Sequence, residues 1–318
     1  MLSPGGLPLG QGREAVTVPP LMVIVPRQLG QVLNDAMHGL AAVWRALLVP
    51  ALVVTIPVSI ATIAAFSATG GADFLDVVIN NPERLQALPS DVFWELAKPF
   101  YIAVGIATLL LLVAGVFVAL ASHSAIAAHV GGQPLTSKEL ARIALRRYVT
   151  GLGATLVVIV VIGVLLTLGT FLWLIPAMAV GTPNTASTLV ALLLLAAVLG
   201  PGIWVGVAVS MTTPAVAIER RGVLGSIRRS MQLVRGRWWP TAGFLLLVGL
   251  LGGIAIQLIQ LVALPLALIG GGGTVLSLTS LLGVLAQGLL VAAIAAMSTH
   301  WYIDLRARKE ELSTETLG

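Results

Sequence analysis

Apolar residues gather into six long runs, at roughly 46–69, 100–129, 150–180, 186–211, 241–268 and 275–299, and polar residues fill the stretches between. A helix rising ~1.5 Å per residue needs ~20 apolar residues to cross a ~30 Å hydrocarbon layer, and each run meets that length. No Asp, Glu, Lys or Arg falls inside any run. The pattern predicts an all-α integral membrane protein with six transmembrane helices.

The stretches before the first, third and fifth runs are themselves patterned. Leu29, Val32, Leu33, Met37, Leu40 and Trp44 recur at helical spacing before the first, and Leu140, Ile143, Ala144 and Arg147 before the third. Val223, Ile227, Met231 and Val234 do so before the fifth. A helix with arginines opposite an apolar stripe lies in the headgroup plane, so amphipathic interfacial helices are expected before spans 1, 3 and 5. Two readings fit this alternation. One is a threefold repeat of interfacial helix plus transmembrane hairpin. The other is that basic loops simply follow every even-numbered span.

Within the runs, Pro50, Pro57, Pro176, Pro201 and Pro265 each remove a helical hydrogen bond and are expected to kink or break their helices. Gly249 and Gly253 form a Gly-x-x-x-Gly pair suited to close helix packing, expected inside the bundle, with homodimerisation as the alternative. The Gly270–Gly273 run has no following Lys-Ser/Thr and reads as a turn, not as a phosphate loop. Residues 1–27 are Pro/Gly-rich and read as a poorly ordered cytoplasmic arm without a cleavable signal. Residues 28–303 form the six-span membrane domain, and 304–318 a cytoplasmic tail.

Composition agrees: 58% of residues are apolar, 10% are charged, and the mean hydropathy is +1.01. No soluble globular domain has that balance. Charge adds orientation. Sixteen of the 18 basic residues lie in four alternate polar segments. Those segments hold Arg13, Arg27 and Arg45; Lys138, Arg142, Arg146 and Arg147; Arg220, Arg221, Arg228, Arg229, Arg235 and Arg237; and Arg306, Arg308 and Lys309. Only Arg84 and Lys98 fall on the other side. Lys/Arg excess marks cytoplasmic loops, which predicts N- and C-termini inside. Fifteen of the 18 being Arg suggests a GC-rich bacterial genome and hence a bacterial cytoplasmic (inner) membrane. The net charge of +5 is explained by this bias and by anionic headgroups, not by nucleic acid.

Candidate chemistry is sparse. The absence of cysteine excludes disulfides and thiolate sites. His123 and His129 are six apart, on different helix faces, unlike a helical zinc pair. With His38 and His300 they are expected to be interfacial or packed. Gln257, Gln260 and Gln287 are the most polar side chains at depth, and either tie helices together or line a small cavity. Asp73, Asp76, Glu83, Asp91 and Glu95 spread over one connection without a cation-ligand pattern. Phe93, Trp94, Trp238, Trp239 and Trp301 are expected to anchor at the interfaces. No cofactor, metal site or catalytic constellation is expected.

The most distinctive stretch carries Pro214, Glu219, Arg229, Ser230, Leu233, Arg237, Trp238 and Trp239. The tail adds Tyr302, Asp304, Arg306, Arg308 and Glu310 at alternate positions. Both resemble motifs of the bacterial glycerophosphoryl diester phosphodiesterase membrane-domain family, over residues 28–312. In that family's enzymes the hydrolytic barrel is a separate domain with no counterpart here, so the resemblance implies a stand-alone membrane part without the activity.

Physical chemistry gives both motifs a further reading. Glu219 and Asp304 are acids among arginines, placed to pair with Arg228, Arg229, Arg306 or Arg308 and fix an interfacial helix on the bundle. Arg228, Arg229, Arg235 and Arg237 are candidates to bind a lipid phosphate. The expected function is therefore non-enzymatic: a lipid-interacting scaffold or partner subunit with a basic cytoplasmic collar, preferring anionic lipids and open to a membrane-protein partner. The alternative is a facilitator or flippase-like transporter of a lipid-like or small amphipathic molecule, suggested by kinked, glycine-rich spans. An intramembrane enzyme lacks any nucleophile–base pair in the runs.

Overall fold

The computed structural model describes residues 29–81, 83, 88–179, 185–269 and 271–315. The expected N-terminal arm lies outside them. Among the described residues nine helices are bounded and there is no strand: α1 (Leu29–Thr69), α2 (Gly71–Asn80), α3 (Ser90–Val130), α4 (Ser137–Ala179), α5 (Thr185–Val209), α6 (Thr212–Glu219), α7 (Val223–Val234), α8 (Trp238–Ile269) and α9 (Gly271–Glu315). Six stretches are long and apolar enough to cross a membrane: Gly30–Thr69, Ser90–Val130, Ser137–Leu168, Leu199–Glu219, Trp238–Ile259 and Leu282–Glu310. The chain is an all-α, multi-pass membrane protein.

Two of the three expected interfacial helices are not separate elements. The stretch before the first span is continuous with it in the 41-residue α1, and the stretch before the third is the start of the 43-residue α4. At ~1.5 Å per residue each exceeds 60 Å, about twice the hydrocarbon thickness, so its charged end projects beyond the lipid. Pro50 lies just past the junction in α1, and Gly151 and Gly153 lie at the junction in α4, yet neither helix stops there. Only the third stretch is a helix of its own, the 12-residue α7.

The buried stripes also differ from the sequence reading. On α1 the face against the bundle is Val32, Ala36, Val43 and Leu47, whereas Met37 and Trp44 point outward at 57% and 48% exposure. Gly39 on the same face lets α1 approach α3 and α9 closely, since a Cβ there would fall 3.1 Å from His300 Nε2 and 3.6 Å from Ile126 Cδ1. Leu140 and Ala144 of α4 are buried as the spacing predicts. The buried face of α7 is Ser226, Ser230, Leu233 and Val234, with Met231 exposed.

The spans pack in chain order around a closed ring, α1 against α3, α3 against α4, α4 against α5, α8 against α9, and α9 back against α1. Contacts between α5 and α8 close it, and α3 also reaches across to α9. Gly288 on α9 meets α1 so closely that a Cβ there would fall 2.9 Å from Thr55 Cγ2. The Gly249–Gly253 pair does not pack inside the bundle: among the described residues no neighbouring side chain or helix comes within 4 Å of a Cβ built at either position. Gly252 between them faces Leu290 of α9 instead.

Prolines do not end these helices. Pro50 and Pro57 lie within α1, and Pro201 lies within α5, which continues eight residues past it to Val209. The chain breaks at Ser210–Met211, before the short α6. Pro214 sits in the first turn of α6, where its missing N–H leaves no gap. The last helix runs without interruption from Gly271 to Glu315, so the expected tail from 304 onward is helix, with Asp304, Leu305 and Ala307 buried.

Candidate functional site

The start of α1, the α3–α4 turn, the α5–α6–α7–α8 path and the end of α9 meet at one end of the bundle, which gathers the last three basic segments. Here α6 ends with Arg220 in the left-handed conformation (φ 55°), rare for a side chain larger than glycine, and the chain turns sharply into α7.

The hub is Glu219, the last residue of α6. Its Oε1 accepts from Arg229 Nε at 2.8 Å and from the Tyr302 hydroxyl, and its Oε2 accepts from Arg221 Nε at 2.7 Å. One carboxylate thus joins α6, α7 and α9. Arg229 Nη2 also donates to Glu310 Oε1 at 3.2 Å, and Arg306 Nε donates to the same oxygen at 2.6 Å. Arg308 Nε donates to Asp304 Oδ2 at 2.6 Å along one face of α9. Lys309 Nζ donates to the backbone oxygens of Gln232 and Arg235, capping the carbonyl end of α7. Glu219 and Asp304 are both nearly buried, at 9% and 3% side-chain exposure, so their charges are compensated within the fold.

A second junction closes the helix break. Ser230 Oγ on α7 donates to Ala208 O at 2.8 Å and accepts from Met211 N at 3.0 Å. Both groups belong to the interrupted turn between α5 and α6, where no helical partner exists. Next to it, Trp301 stacks on Phe244 with ring centroids 4.9 Å apart and donates Nε1 to Thr241 Oγ1 at 3.3 Å. Trp301 is therefore a core residue and not an interface anchor. Trp239 is 80% exposed, and Trp238 donates Nε1 to Trp204 O at 3.2 Å. At the opposite end Phe93 and Trp94 belong to an aromatic cluster with Phe66, Phe74, Phe100 and Tyr101.

The other polar candidates resolve as follows. His123 is buried, and its Nδ1 lies 2.8 Å from Thr299 Oγ1. Because the Thr299 hydroxyl donates to Ala295 O, it accepts from His123 Nδ1–H, tying α3 to α9. His300 is buried beside Gly39, whereas His38 and His129 are exposed. Gln257 and Gln287 are exposed and form no hydrogen bond to another helix among the described residues, and the side chain of Gln260 lies outside those described. Among the described residues no group of three His, Asp or Glu side chains is placed to hold a metal.

Of the four lipid-phosphate candidates, Arg229 is held by Glu219 and Glu310, whereas Arg228, Arg235 and Arg237 are exposed and form no ion pair among the described residues. Arg228 does not join the acids. Sequence reasoning missed Tyr302 and Glu310 as partners in the hub. The alternate spacing of 302, 304, 306, 308 and 310 hides their meeting, because in a helix Arg306 reaches Glu310 one turn on, while Tyr302 reaches across to another element.

Residues 28–305 match the family described as "Domain of unknown function (DUF7847)". The chain belongs to the DUF7847 family. No curated protein and no solved structure matches it. The matched DUF7847 segment opens just before α1 and ends at Leu305, so it takes in Glu219, Arg229, Ser230 and Tyr302 but leaves out Arg306, Arg308 and Glu310.

Proposed function

We propose that this DUF7847 protein is a non-enzymatic component of a bacterial inner membrane, with both termini cytoplasmic, which acts as a lipid-interacting scaffold or partner subunit through a basic collar. The observation that carries this reading is a division of labour among the arginines of α7 and its exit. Among the described residues the acids of the hub pair with Arg221, Arg229, Arg306 and Arg308, and none forms an ion pair with Arg228, Arg235 or Arg237 on the exposed face. Three uncompensated guanidiniums beside Trp238 and Trp239 suit the headgroup layer of an anionic leaflet, where each basic residue contributes about 1 kcal/mol.

The test is lipid selectivity of the full chain in bilayers mixing phosphatidylglycerol and phosphatidylcholine, read with spin-labelled lipid. Phosphatidylglycerol is expected to associate preferentially, less so as salt rises. The variant carrying Arg228→Gln, Arg235→Gln and Arg237→Gln is expected to lose most of that preference. Equal association of the two lipids with the unaltered protein would sink the reading.

A further inference from the structure

A second group of arginines is gathered around a cavity rather than along a face. Between the start of α4 and the α6–α7 turn lies a pocket of about 310 Å³, lined by Arg146, Arg147, Thr150, Arg220 and Arg221 over a floor of Ile143 and Val216. None of these belongs to the collar, and no carboxylate is on the lining. Arg221 donates to Glu219 outside it, whereas Arg146, Arg147 and Arg220 form no ion pair among the described residues. Arg220 acts on the half-buried Arg147 as a like charge.

Two structural choices hold these groups together. The helix at Arg146 and Arg147 is the unbroken first part of α4, so their positions follow from its packing through Leu140 and Ala144. Arg220 and Arg221 come from the turn that the left-handed Arg220 makes possible, with the Glu219 hub fixing Arg221 on one side. A fold that brings four guanidiniums to one cavity and keeps its carboxylates elsewhere is suited to a polyvalent anion. Guanidinium forks match the tetrahedral oxygens of phosphate, and chloride or a single carboxylate would leave most of them unused. The volume corresponds to about ten waters at ~30 Å³ each, enough for a phosphate with a small ester substituent.

We infer that this pocket is a discrete phosphate-binding site, with Arg147 and Arg220 as its principal ligands and Arg146 and Arg221 flanking them. The phosphate is that of a lipid headgroup or of a free phosphate compound; the chemistry of recognition is shared. The site stands apart from the collar, which is a diffuse field and needs no cavity.

The experiment uses the full chain in nanodiscs of phosphatidylcholine alone, titrated calorimetrically with inorganic phosphate at constant ionic strength set by chloride. In parallel, native mass spectrometry counts phosphatidylglycerol retained after release from mixed bilayers. One saturable phosphate site or one tightly retained phosphatidylglycerol is expected, weakened roughly tenfold or more in Arg147→Gln and in Arg220→Gln. Arg147→Lys keeps the charge but not the fork, and is expected to lose much of the affinity while folding as the parent does. Saturable phosphate uptake without a retained lipid assigns a soluble phosphate compound, and the reverse assigns a headgroup. The triple collar variant is expected to keep the site, which separates its failure from that of the collar. Neither saturable phosphate nor a retained lipid in the unaltered protein would overturn the inference, as would binding that Arg147→Gln and Arg220→Gln leave unchanged.

Discussion

Glu219 is one carboxylate with three donors, from α7, α9 and the α6–α7 turn, and that arithmetic sets its worth. Its side chain is 9% exposed and Arg229 16%, so removing its charge leaves a largely buried guanidinium with only Glu310 to face among the described acids. Breaking such a pair costs more than its formation contributes, because the surviving partner keeps its desolvation penalty. Glu219→Gln is expected to lower stability by about 2–4 kcal/mol, and Tyr302→Phe, which removes one hydrogen bond, by about 1–2 kcal/mol. Unfolding midpoints in mixed micelles titrated with sodium dodecyl sulfate check both. An unshifted midpoint for Glu219→Gln would mean that the hub contributes nothing. The sequence makes Glu219 and Asp304 legible as acids in basic surroundings, since an isolated carboxylate among arginines has few other fates. It does not disclose Tyr302, whose ring is buried and whose only polar atom finds its partner 83 positions away.

Elements are where the sequence reading and the fold part most. Periodicity identifies amphipathic stretches correctly but not where one helix ends, because a continuous α-helix and an elbow carry the same stripe. The stops that exist are made by tertiary chemistry. At Ser210–Met211 the interrupted backbone is buried, and in an apolar setting an unpaired amide or carbonyl is expensive. Ser230 answers both groups from α7, which explains why a buried serine occupies the face of an amphipathic helix where the pattern predicts apolar contact. Ser230→Ala is therefore expected to cost about 2–4 kcal/mol, with two buried polar atoms left without partners. Ser226→Ala, whose hydroxyl bonds only to carbonyls at its own helix start, is expected to cost less than half as much. Parallel denaturation of the two variants checks the ranking. Equal losses would show that α7 is held by burial alone and that its serines are incidental. The prolines teach the same lesson from the other side: Pro201 interrupts one hydrogen bond mid-span yet α5 runs on, whereas the turn that reorganises the chain contains no proline at all.

For the whole molecule the six apolar runs fix the number of crossings, and an even number places the described ends of the chain on one side, where the charge segregates. The proposed cytoplasmic placement of that side rests on the energetics of insertion, since arginine-rich connections resist translocation. The chain has no cysteine, so an introduced thiol is unique and its compartment can be read directly. Gln133→Cys lies in the exposed α3–α4 turn at the basic end, and Asp91→Cys in the exposed start of α3 at the other. A membrane-impermeant maleimide applied to intact spheroplasts is expected to label Asp91→Cys at once and Gln133→Cys only after lysis. The reverse pattern would place the hub, the collar and the arginine pocket on the outer surface. Their ion pairs would be unchanged, because those depend only on the fold. The proposed partners would change, since the collar needs the anionic lipid of the leaflet it meets and the pocket draws on whatever phosphate that compartment supplies. Orientation therefore decides which ligands are available to the site without altering the chemistry that would bind them.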